Sequence, residues 1–209
     1  ILWARELGKF KIKGTREQTE TFYTSVYHAA LHPFIYEDMD NRYRGHDSNI
    51  HRADSFTNYT VFSLWDTYRA HHPLLNLVNR ERNADMVHSM LAHYEQSVER
   101  MLPVWSFYGN ETWCMIGYHG VSVIADAIVK DLKGFDYERA YQAMKRTAMN
   151  PDYDCLPEYT VNGWVPFDKE RESVSKTLEY AYDDYCIAMA AKKLGKEADN
   201  NYFLNRSLA

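Results

Sequence analysis

An all-α fold is predicted by three features of the sequence. Apolar residues recur at helical spacing in several runs, start and stop signals bracket those runs, and strand signals are few. With 209 residues the chain is long enough for one domain with a substantial core. Helices joined by alternately short and long connections pack as a bundle, a solenoid or a helical barrel, and periodicity does not choose among these.

Residues 1–14 are short and mixed. Thr15 and Gln18 have the spacing of a capping box ahead of Phe22, Val26 and Ala29 or Ala30, and that helix is expected to stop near His32-Pro33. The stretch "YEDMDNRYRGHDSNIHRADSFTN" is polar and irregular, and a loop of that length in a compact domain is often functional. A helix is predicted over Tyr59 to His72, ended by Pro73, and another over Asn83 to Gln96. Thr112 to Leu132 reads as a mostly apolar helix stopped by Gly134, and Asp136 as the cap of a helix from Tyr137 to Met149. Residues 150–172 carry three prolines and a glycine and read as a loop or short hairpin. The last long helix is expected over Ser173 to Leu194, with Val174, Leu178, Ala181, Tyr185 and Ala188 as its inner stripe; a further helix begins or continues over Asn201 to Ser207.

The totals exclude several function classes. Net charge is −5 and the Lys and Arg residues are scattered, which argues against nucleic acid or an anionic membrane as partner. No apolar run is long enough to span a bilayer. Cys114, Cys155 and Cys186 are far apart and odd in number, which points to neither a zinc site nor a disulfide framework. The opening "ILWARELGKFKIKG" is broken by charges, unlike a signal peptide, and the chain reads as a piece of a longer protein.

Polar residues collect in the connections: Asp38 to Asp54, Trp65-Asp66 with Arg69, Asn110-Glu111, and Asp168 to Glu172. If alternate connections open on one face, that face carries carboxylates, Arg, His and Trp, the chemistry of a carbohydrate site. Glu111 stands in "LPVWSFYGNETWCMIGYHG" among aromatic residues. Apolar surroundings would raise its pKa and suit a general acid; a start-of-helix carboxylate is the other reading. Asp66 could bind a hydroxyl or pair with Arg69, and Asp183-Asp184 read as a solvated or Arg-paired helix face. The clusters favour a hard cation over zinc, since they are rich in oxygen ligands. The histidine pairs read as ordinary polar residues.

The stretches "FYTSVYHAALHPF", "DNRYRG", "TNYTVFSLWDTYRAHHPLL", "GNETWCMIGYHG", "VIADAIVKDLKGFD", "YQAMKRTAM" and "ESVSKTLEYAYDDYCIA" occur in that order. Together they resemble the bacterial α-mannosidases of glycoside hydrolase family ninety-two, from about Thr15 to Ser207. The resemblance implies an inverting, calcium-dependent exo-α-mannosidase acting on terminal mannose of oligosaccharides or glycoprotein glycans. It implies part of an (α/α)6 helical barrel over residues 1–209, with an N-terminal β-sandwich and the remainder of the barrel outside the chain. By the same resemblance Glu111 matches the general acid. Trp65, Asp66, Arg69, Asn110 and Glu170 fall at substrate-binding positions, and Glu172 with Arg171 at the calcium site. The general base would lie beyond this chain, so the chain alone is expected to be inactive and to leave an apolar flank uncovered. The family's habit implies a periplasmic, cell-surface or secreted enzyme in a bacterium. The alternative is a non-catalytic helical mannose-binding or scaffold domain.

Overall fold

The computed structural model describes residues 2–208, which are mostly helical with a few two- and three-residue strands. Contacts divide them into two compact units, one ending at Phe34 and one beginning at Ile35. The first holds α1 (Leu2–Leu7) and α2 (Arg16–Ala29). The capping box at the head of α2 is complete: Gln18 N–H donates to Thr15 Oγ1, and Thr15 N–H donates to Gln18 Oε1.

In the second unit the polar stretch after Tyr36 contains a hairpin in which Arg42–Arg44 pairs antiparallel with Ile50–Arg52. The helix predicted over Tyr59 to His72 is replaced by two shorter ones, α3 (Leu64–Thr67) and α4 (His71–Val78). Pro73 lies in the first turn of α4 rather than ending a helix. At that position its missing N–H costs nothing, because first-turn N–H groups have no partner within the helix. Then follow α5 (Arg80–Gln96), α6 (Gly120–Val129), α7 (Tyr137–Ala148), α8 (Leu156–Asn162), α9 (Ser173–Lys193) and α10 (Glu197–Arg206). Asp136 caps α7 as predicted, accepting from Arg139 N–H. The segment read as loop or hairpin holds α8, whose proline stands at its start.

The core centres on α6, which is buried over most of its length and packs against α4, α5, α7 and α9. The apolar run from Thr112 is not helical before Gly120. Trp113 and Met115 have φ of +54° and +66°, and Gly117 has +83°, which no right-handed helix accommodates. Glu111 is therefore not a start-of-helix carboxylate.

Of the stripe predicted for α9, Ala188 is buried and Ala181 packs against the core, but the other three members face outward. Val174 and Leu178 are 71% and 65% exposed, and Tyr185 is 47% exposed. The buried stripe is Lys176, Tyr180, Asp183, Asp184, Ile187 and Ala191. Its charged members meet partners on distant segments, which periodicity cannot register. Val174, Leu178 and Tyr185 thus form an exposed apolar stripe.

Candidate functional site

Glu111 sits on a tight hairpin in which Ser106–Phe107 pairs with Asn110–Glu111. The two turn residues, Tyr108 and Gly109, have φ of +49° and +74°, the pattern of a hairpin whose turn matches strand twist. A Cβ on Gly109 would also lie 3.0 Å from the carbonyl oxygen of Arg44.

The aromatic residues adjacent in sequence do not ring the Glu111 carboxylate. Phe107, Tyr108 and Trp113 are each more than 40% exposed. The carboxylate itself is 6% exposed and meets four main-chain donors. Val104 N–H donates to Oε2; Trp105, Thr112 and Trp113 N–H donate to Oε1. Burial raises the Glu111 pKa, opposed by these four hydrogen bonds, which favour the charged form. His93 Nε2 lies 3.7 Å from Oε2, and burial holds that imidazole neutral by pushing its pKa well down. Asn110 is exposed at the hairpin's edge.

A cavity of about 850 Å³ opens beside this hairpin. Trp113 lines it, together with Trp65, Glu172, Asp154 and Lys176. Thus Trp65 and Glu172, singled out in sequence, do share one cavity; Glu111 does not line it, and is tied to it only by the Trp113 N–H that its Oε1 accepts. Glu170 does not open into the cavity, because it is committed to Lys176. The buried Lys176 ammonium lies 2.6 Å from Asp154 and 2.8 Å from Glu170, whose other oxygen accepts from Glu172 N–H. Asp66 is exposed and does not pair with Arg69.

Arg69 instead reaches Glu179, a residue the sequence reading passed over. Glu179 Oε1 accepts from Trp65 Nε1 at 3.2 Å and from Arg69 Nη2 at 3.5 Å. Behind it lies His119, 1% exposed, with Nε2 3.2 Å from Glu179 and Nδ1 2.8 Å from Asp183. Gly117 is required here, since a Cβ would come within 2.5 Å of the His119 ring. Burial alone would lower the His119 pKa, but the two carboxylates outweigh it and push it up to about 9. Asp183 and Asp184 are both fully buried, so the solvated-face reading fails; Asp184 is Arg-paired, to Arg206. The available signal was spacing, as Glu179 and Asp183 are one helical turn apart on α9.

The raised His119 value has a consequence for stability. A folded-state pKa near 9 against 6.5 unfolded means the stabilisation is complete below pH 6.5 and is lost as pH rises through 9. The gap is worth up to about 3 kcal/mol. Thermal unfolding across that window is expected to show the wild-type midpoint falling more steeply than that of His119→Gln. Parallel curves would sink the assignment.

Calcium was expected at Glu172 and Arg171. Among the described residues no group of three or more His, Cys, Asp or Glu is placed to hold a metal. Arg171 carries a cationic side chain and could offer only its main-chain carbonyl, and Glu170 is taken by Lys176. The residues present do not by themselves make a calcium site. Titrating calcium into this chain is expected to give no saturable heat below about 1 mM, the weak end of protein calcium sites.

The family model described as the glycosyl hydrolase family 92 catalytic domain matches residues 2–209. This chain belongs to that family. A family GH92 alpha-mannosidase from Bacteroides thetaiotaomicron, solved in complex with mannoimidazole, is 73% identical with a TM-score of 0.98. The alignment covers 99% of this chain and 27% of that one. A family GH92 inverting mannosidase from Bacteroides thetaiotaomicron VPI-5482 is 32% identical with a TM-score of 0.90, covering 98% of this chain and 29% of its own. A curated relative from Arthroderma benhamiae, described as an uncharacterized secreted glycosidase, is 34% identical over 97 residues, 39% of this chain and 12% of its own length. The family 92 chain thus spans little more than a quarter of the solved relatives it matches. No helix among the described residues is long and apolar enough to cross a membrane.

Proposed function

We propose that this chain is part of the catalytic domain of an inverting exo-α-mannosidase that removes terminal α-mannose from glycans. The observation that carries the reading is the 73% identity, over almost the whole chain, to a structure described as an alpha-mannosidase bound to mannoimidazole. The cavity supports it. Trp65 and Trp113 offer planar faces for sugar rings, and Glu172 offers a hydroxyl acceptor. Asp66, Arg69 and Asn110 stand exposed near these segments and suit the periphery of a sugar subsite. The helices would form one part of an (α/α)6 barrel, whose other parts cover the apolar stripe of α9.

Glu111 is the proposed general acid. Burial raises its pKa, as a proton donor requires. Thr112 and Trp113, which donate to Oε1, lie on the exposed arm of the hairpin, and Trp113 lines the cavity. Inversion needs a second carboxylate across the sugar with room for water, and we place that base outside residues 2–208. The chain alone would then be inactive. Calcium belongs to the reading only as an ion whose ligands are completed outside this chain, with Glu172 one contributor. Placement in the periplasm, at the cell surface or in the medium of a bacterium accords with the secreted description of the Arthroderma relative.

A second reading rests on the four main-chain donors at Glu111. In it the carboxylate only secures the hairpin, and the cavity binds mannose without cleaving it.

The test is the anomer first released when the polypeptide containing this chain hydrolyses an α-mannoside, followed by proton NMR. The β-anomer is expected before mutarotation. The α-anomer would overturn inversion, and absence of release would favour the binding reading.

A further inference from the structure

We propose that Glu179 is a positioning residue for the sugar platform, holding Trp65 and Arg69 in place through a relay that runs back to the buried pair His119 and Asp183. The proposal rests on the reading above that a mannoside sits against Trp65.

The geometry has three parts. Glu179 is the hub: Oε1 accepts from the Trp65 indole N–H and the Arg69 guanidinium, while Oε2 faces the Tyr68 hydroxyl at 3.5 Å and His119 Nε2 at 3.2 Å. Rings then brace the cluster. The Arg69 guanidinium lies 4.7 Å from the centres of both the Trp65 and Tyr68 rings, and Tyr68 stacks on His119 at 4.2 Å. Finally, charge alternates inward from Arg69 to Glu179, His119 and Asp183.

Each link has a physical purpose. An indole that carries a sugar must keep one orientation, and its single donor is the only polar handle by which it can be held. The Glu179 oxygen takes that donor and also draws Arg69 against the ring face. Glu179 could not stay fixed alone, since Asp183 lies one turn along the same helix with the same charge. His119 stands between the two carboxylates, one ring nitrogen toward each, and offsets part of their charge. Trp65 reaches the cavity from one side, whereas Glu179 itself is not among the cavity's lining residues. Its role is therefore positioning, not contact with the reacting atoms.

The test uses the full-length polypeptide and steady-state kinetics on an α-mannoside. Glu179→Gln keeps the length and an acceptor but removes the charge that holds Arg69 and His119. Glu179→Asp keeps the charge but withdraws it from Trp65. Both are expected to raise KM at least tenfold with kcat within threefold, while Trp65→Ala raises KM at least as much. The aspartate variant guards against misfolding of the glutamine one, and the thermal midpoint is recorded for each. If Trp65→Ala raises KM and neither Glu179 variant does, the positioning role is overturned while the site reading stands. If Trp65→Ala leaves KM unchanged, the site reading fails and the proposal with it. A fall in kcat at constant KM in the Glu179 variants would also overturn it, because that outcome marks a group acting on the reacting atoms.

Discussion

Replacing Arg206 by methionine is expected to destabilise the fold by about 3–5 kcal/mol. Arg206 closes α10, and its guanidinium meets both oxygens of Asp184 on α9. It also donates to the carbonyl of Ala148 and to Thr160 Oγ1. Asp184 is fully buried and takes two further donors, the hydroxyls of Tyr118 and Tyr159. One ion pair thus joins α10, α9, α8, the end of α7 and the turn before α6. Removing the cation leaves a buried carboxylate with two neutral donors and no countercharge. Burial already raises the Asp184 pKa, and Arg206 opposes that rise. Without Arg206 the carboxyl would take up a proton on folding. The loss should then be smaller at pH 5 than at pH 8, since a raised pKa stabilises only while the proton is held. Denaturant unfolding of Arg206→Met, Asp184→Asn and the double variant checks this. The double variant is expected to lose less than the sum of the singles. Additive losses would mean the two residues do not act as a pair.

Glu111→Gln in the full-length polypeptide is expected to lower kcat by about 100- to 10,000-fold on mannosides with poor leaving groups. Aryl mannosides with good leaving groups need little protonation, and their hydrolysis should fall far less. The hairpin role predicts something different. Both carboxylate oxygens accept main-chain N–H groups, so an amide must set its NH2 against at least one donor. With its oxygen at the Oε1 position, the amide nitrogen faces Val104 N–H. An unsatisfied buried donor of that kind costs about 1–3 kcal/mol. A lowered thermal midpoint with equal loss on both substrate types would therefore assign Glu111 to the hairpin. A leaving-group-dependent loss at an unchanged midpoint would assign it to proton transfer.

These two residues show how much of the site was legible. Trp65 and Glu172 were found as polar-cluster residues and do share a cavity. Glu111 was found, but its partners were not. The sequence places aromatic rings beside it, while the fold places four N–H groups there: the hairpin turn at Tyr108 and Gly109 folds Glu111 back onto Val104 and Trp105, and the next two residues supply the other donors. Glu179 and His119 were missed because their pairing spans 60 residues of chain. The family resemblance puts Glu170 at a substrate-binding position, yet the buried Lys176 claims it.

The sequence by itself determined the helical class, the capping of α2 and α7, the extent of α9 and the family. The helical features depend on residues three or four apart, whose side chains reach one another on any helix, and the family on seven motifs read in order along the chain. Only the tertiary structure decided which face of α9 turns inward. Hydrophobicity favoured Val174 and Leu178, but Lys176, Asp183 and Asp184 are buried instead. A charged side chain can be buried when a partner waits on another segment, and here those partners are Asp154, His119 and Arg206.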